Sequence, residues 1–164
     1  MAQPTVKFLC VAIANALLAH YGVERPPVPV RDFLRAPPPD LSNELSLIEA
    51  LSFGEAMYIR GLSGQGTVFS NPSLPGYTQR FALARALFLG LCNSRGGQAA
   101  GLPPAKVLTN DLYDIANYFA RCLLMPKWLL PEGWEAMAPE YVAELFDVSV
   151  SVVEQRKQEL PTPY

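Results

Sequence analysis

Gln79-Arg80-Phe81-Ala82-Leu83-Ala84-Arg85-Ala86-Leu87-Phe88-Leu89-Gly90-Leu91-Cys92 reads as the central helix around which the chain is organised. It holds no proline and no β-branched residue, so Gly90 is the one residue inside it that weakens a helix. Thr78 stands before it as an N-cap, and Asn93-Ser94-Arg95-Gly96-Gly97 supplies a stop. Phe81, Ala84, Phe88 and Leu91 fall on one stripe, Leu83, Leu87 and Leu89 fill the neighbouring ones, and Arg80 and Arg85 are the polar interruptions. A helix apolar nearly all round is a buried helix, so this one is expected at the centre of the core.

Upstream, Glu55-Ala56-Met57-Tyr58-Ile59-Arg60 and Gly66-Thr67-Val68-Phe69-Ser70 alternate in polarity across the turn Ser63-Gly64-Gln65-Gly66, the pattern of a β-hairpin. Leu45 to Leu51 reads as an edge strand, which gives a small antiparallel sheet. A first helix is expected from Thr5 to Tyr21, with Val6, Leu9, Ile13 and Leu17 inward and Gly22 ending it. Successive prolines make 23–30 an extended connector. Downstream, 96–104 reads as a surface loop of small residues. A second long helix follows, capped by Thr109 or Asn110 and burying Leu112, Ile115, Ala116, Phe119 and Leu123. Within 138–160, Pro139 opens a helix to Phe146, and Val150 to Leu160 forms its partner in a helical hairpin. The pieces on either side of Ala36-Pro37-Pro38-Pro39-Asp40 are too small for separate cores, so 1–164 is read as a single domain.

Two of these segments resemble a known family. Arg80-Phe81-x-Leu83-Ala84 is similar to the active-site helix of the ImmA/IrrE zinc peptidases, written R-F-T-L-A-H-E-x-x-H. Ala116-Asn117-x-Phe119-Ala120-x-x-Leu123-Leu124-Met125-Pro126 resembles that family's E-A-N-x-F-A-x-x-L-L-M-P. Val142-Ala143-Glu144-Leu145-Phe146-Asp147-Val148-Ser149 resembles its closing helical hairpin, and the likeness runs from about Leu9 to Leu160. It implies an α+β, mainly helical, zincin-like minimal peptidase fold, with a short helix from Val30 to Arg35 after the proline connector, a small antiparallel sheet on a central buried helix and a helix-turn-helix-like hairpin at the C-terminus.

The same alignment implies that the chemistry is lost. The two histidines would fall at Arg85 and Leu89, the glutamate at Ala86 and the third zinc ligand at Ile115. In H-E-x-x-H one helical turn brings two imidazoles to one Zn²⁺, and the carboxylate takes a proton from metal-bound water. Arg85 has no lone pair to give, and Ala86, Leu89 and Ile115 neither ligate nor move protons. Asp114, one residue before Ile115, is rotated by about 100° around the helix. The expectation is therefore a degenerate family member without catalysis, metal or cofactor. Arg85 would take the metal's place as the local positive charge and pair with Asp111 or Asp114, or else reach solvent at a groove mouth.

Composition narrows the remaining choices. The chain has 164 residues, 17% charged, with a net charge of −2, which does not suggest a nucleic-acid surface. The helix-turn-helix-like hairpin sets Arg156 and Lys157 against Glu140, Glu144, Asp147, Glu154 and Glu159, so a DNA reading is held as an alternative only. Cys10, Cys92 and Cys122 are expected as buried free thiols in a cytoplasmic protein. With one histidine, His20, a two-histidine zinc site is impossible, and a site rebuilt from Cys92, His20 and Asp114 requires all three to converge. A hydrolase built on Cys92 and His20 is the other alternative. The apolar run 8–19 is too short for a membrane span. Trp128 and Trp134 are expected to pack. The resemblance implies a protein or peptide partner of the repressor-regulator type in a stress or mobile-element response, held by a regulatory pseudopeptidase.

Overall fold

A computed structural model of the chain describes residues 4–50, 54–105 and 109–160. The helices are α1 (Pro4–His20), α2 (Val30–Arg35), α3 (Gly76–Asn93), α4 (Arg95–Ala99), α5 (Asn110–Leu124), α6 (Pro139–Phe146) and α7 (Val150–Glu159), and the strands are β1 (Leu45–Glu49), β2 (Ala56–Arg60) and β3 (Gly66–Ser70). Among the described residues the architecture is α+β, seven α-helices around one three-stranded sheet. No helix of these residues is long and apolar enough to cross a membrane.

The core forms where α3 lies against α5 and α1 lies against α5. Leu83, Leu87, Phe88 and Leu91 of α3 are buried, and the Phe88 ring sits 5.0 Å from that of Phe119 on α5. The α5 stripe Leu112, Ile115, Ala116, Phe119 and Leu123 is buried as its spacing predicts, and the Thr109 hydroxyl accepts from the Leu112 N–H at 3.2 Å. On α1 the fully covered residues are Cys10, Ala14, Leu17 and Leu18, with Val6, Leu9 and Ile13 only partly buried beside them. Gly22 ends that helix in the left-handed region at φ 60°, which a glycine adopts without strain.

Several local expectations are corrected. The central helix starts at Gly76, so Thr78 lies inside it, and Pro75 is its N-cap residue without a side-chain cap. Proline is well suited to that edge because it has no N–H to leave unpaired. Gly96 and Gly97 do not extend a loop: Ser94 accepts from the Gly97 N–H at 3.0 Å and starts α4, and both Gly97 and Leu102 are buried. A Cβ on Gly97 would lie 1.9 Å from the Leu91 carbonyl oxygen, so this turn is built around glycine. Trp134 is buried, but Trp128 is half exposed and donates from Nε1 to Asn15 Oδ1 at 3.3 Å.

The sheet is mixed and not antiparallel throughout. Its order is β1-β3-β2, with β2 antiparallel and β1 parallel to β3. A parallel neighbour needs a long return, and the β2–β3 hairpin provides it by inserting its second strand beside β1. Leu45 and Val68 on the inner face are buried toward α3, whereas Ile48, Met57 and Ile59 stay exposed on the outer face. Leu51, expected at the end of the edge strand, lies outside the described residues.

Candidate functional site

β2 is an edge strand, and the direction of its free hydrogen-bonding groups follows from the ladder. The Gly61 N–H donates to the Gln65 carbonyl at 2.7 Å and the Asn71 N–H to the Glu55 carbonyl at 3.4 Å. Counting by twos along the antiparallel register, Met57 and Ile59 turn their backbone groups to β3, and Ala56, Tyr58 and Arg60 turn theirs outward. All five β2 residues in succession border one cleft of about 510 Å³. Because alternate side chains leave a strand on opposite faces, such an unbroken run marks the strand's open edge.

The floor of this cleft comes from the two long helices: Ala82, Ala86 and Leu89 of α3, and Leu112 and Ala116 of α5. Of the four positions at which the family resemblance places catalytic and ligating groups, three, Arg85, Ala86 and Leu89, therefore line it. Ile115 does not. It packs into the core, and the α5 residues that reach the cleft are Leu112, Tyr113 and Ala116.

Arg85 bridges one end of the cleft. Its Nη2 lies 2.5 Å from Oε2 of Glu55, just ahead of β2, and its Nη1 donates to the Tyr113 hydroxyl. The guanidinium carbon stands 5.1 Å from the Tyr113 ring centroid and 5.5 Å from that of Phe81, within the range of cation–π attraction. The predicted partners Asp111 and Asp114 are thus replaced by Glu55. The reason is helix geometry: Asp114 points from α5 into a separate polar groove shared with Lys7, Arg121 and Glu159. Arg121 and Glu159 pair there at 2.6 Å.

The residues at the aligned positions do not fit a zinc ion. Arginine, alanine and leucine stand where imidazoles and a carboxylate are needed, and among the described residues no three His, Cys, Asp or Glu side chains converge to hold a metal. Cys92, His20 and Asp114 are not brought together. Cys92 is fully buried in the core, His20 is exposed at the end of α1 with its ring edge against Tyr21, and Asp114 lies in the polar groove. Burial pushes the Cys92 thiol up to about 12, so it is a protonated, solvent-excluded group and a poor nucleophile at neutral pH.

The cations on which a DNA reading depends are used inside the fold. Arg156 is buried, donating from Nε to the Met125 carbonyl at 3.0 Å and lying 3.3 Å from Glu159. Lys157 Nζ donates to the carbonyls of Glu135 at 2.8 Å and Met137 at 3.1 Å. Both hold the C-terminal hairpin to the body of the protein, which leaves neither free for a phosphate.

Sequence reasoning missed Glu55, Tyr58, Asn93 and Tyr113. Tyr113 borders the apolar stripe of α5 and could have been found by extending that stripe one residue. Glu55 carries no local signal, because it meets Arg85 across 30 residues of chain. Burial raises the Tyr58 phenol above its ordinary range, and its ring lies over Gly66, where a Cβ would come within 2.3 Å of it. No model of a known protein family matches the chain, and no curated protein matches it.

Proposed function

We propose that the chain is a degenerate relative of the ImmA/IrrE peptidases, a zincin-like scaffold that retains a peptide groove without metal or catalysis. It acts as a cytoplasmic regulatory protein that holds an extended segment of a partner, of the repressor type, and leaves it uncut. One observation carries this reading: the outward backbone groups of Ala56, Tyr58 and Arg60 open onto a cleft floored by Ala86 and Leu89. A segment adding to β2 would gain main-chain hydrogen bonds and place alternate side chains in that cleft. With Arg85 occupied by Glu55 and Tyr113, the floor offers contact and no reacting group.

The test is selection of displayed peptides on the whole chain, with counter-selection on Ala86→Leu, which fills the floor. Selected peptides are then incubated with the protein and weighed by mass spectrometry. Peptides that bind wild type, lose binding on Ala86→Leu and remain intact are the expected outcome. Cleavage of any bound peptide, or zinc bound stoichiometrically by protein purified without chelator, would contradict the loss of chemistry.

A further inference from the structure

Asn93 closes α3 and is only 6% exposed, yet it borders the cleft beside β2. Its Nδ2 donates to the Ala105 carbonyl across a long 3.4 Å and stands within hydrogen-bonding reach of the Tyr58 phenol, while its Oδ1 is buried with no hydrogen-bond partner. A buried carbonyl without a donor is an unfavourable state that a guest able to donate relieves. The asparagine χ2 torsion is broad, and a turn of the amide toward the cleft gives up only the long bond to Ala105.

The rest of the cleft fixes the form of that guest. Ala82, Ala86 and Ala116 keep the floor low, which leaves room for a large side chain. Among the described residues no carboxylate lines the cleft, and Arg85 is neutralised by Glu55, so nothing there compensates a lysine or an arginine. The donor must therefore be neutral and carried on a bulky apolar body. Serine and threonine do not fill the space, and phenylalanine has no donor.

We infer that Asn93 makes the cleft selective for an aromatic side chain that carries a hydrogen-bond donor, tryptophan or tyrosine, on the segment paired with β2. The inference rests on the peptide-binding reading above and adds a specificity to it. Tyr58 forms the wall against which the guest ring lies.

The probes are blocked pentapeptides, two alanines on either side of tryptophan, tyrosine, phenylalanine or leucine, titrated into the ¹⁵N-labelled full chain and followed by NMR. The tryptophan or tyrosine peptide is expected to bind roughly ten-fold more tightly than the phenylalanine peptide, shifting the β2 amides and the Asn93 side-chain amide. In Asn93→Leu that preference should vanish while the phenylalanine peptide still binds. If Asn93→Leu does not fold, the wild-type Asn93 side-chain resonances decide: they move with tryptophan or tyrosine and not with phenylalanine. Equal binding of all four peptides along β2 would keep the peptide groove and overturn the role of Asn93. A preference unchanged in Asn93→Leu, or Asn93 resonances that stay still, would overturn it equally. If none of the four perturbs β2, the peptide reading falls together with this inference.

Discussion

Phe88 and Ala86, two residues apart on α3, meet opposite surroundings. Phe88 is fully buried against Phe119, on a face where Leu83, Leu87 and Leu91 leave no gap. Ala86, itself only 3% exposed, borders the cleft beside β2 together with Ala82 and Leu89. One helix therefore closes the core on one side and holds a surface open on the other. Side-chain size decides which: large residues interlock and exclude voids, whereas small ones leave volume that neighbouring elements do not collapse to fill.

The largest effect is expected on the closed face. Phe88→Ala should lower stability by about 3–5 kcal/mol in urea unfolding, because it leaves a cavity between α3 and α5. A loss below about 1 kcal/mol would mean that the two faces do not differ in packing.

A pH dependence follows from the closed side as well. Burial pushes the Cys10 and Cys92 thiols up to about 12 from an ordinary value of 9.0. Above the ordinary value the unfolded chain has released these protons while the folded chain keeps them. Folding is then opposed, so the stability is full below about pH 9 and declines as pH rises toward 12. At pH 10 the loss should be about 1 kcal/mol per thiol, read as a fall in the urea midpoint relative to neutral pH. Cys10→Ser should reduce the fall, since a serine hydroxyl does not titrate there. A midpoint that holds steady to pH 10 would place these thiols in contact with water.

The open face should respond in the other sense. Ala86→Leu is expected to change stability by less than about 1 kcal/mol, since the added carbons enter existing space, while it removes peptide binding. Arg85→Met is the mildest change. Glu55 is half exposed and returns to solvent when its partner is removed, so thermal unfolding should register a loss of under about 1 kcal/mol. A loss of several kcal/mol in either variant would show that the cleft face carries the core.

The closed face was legible in the sequence and the open face only in part. Periodicity located α3, α5 and the C-terminal hairpin, because a buried stripe repeats every three or four residues and is a local signal, whereas the short helix α2 was expected from the family resemblance. The β2–β3 hairpin was legible for the same reason, through alternation and glycine-bearing turns. The parallel pairing of β1 was not, since strand order depends on contacts distant in sequence. Arg85, Ala86 and Leu89 were grouped by the family resemblance, and all three line the cleft. The partner of Arg85 was misassigned to α5, because which carboxylate reaches a guanidinium depends on the packing of the sheet edge. Asn93 looked like part of a helix stop, and only the tertiary arrangement shows its carbonyl to be buried without a donor.

Residue-resolved amide hydrogen exchange along β2 reads whether this edge is open. In the free protein Met57 and Ile59, whose N–H groups bond to β3, should exchange slowly, and Ala56, Tyr58 and Arg60, whose groups face the cleft, should exchange fast. With a bound peptide the outward three should become slow as well. Slow exchange at all five in the free protein would mean that the edge is already covered, and that this cleft is not where a partner strand adds.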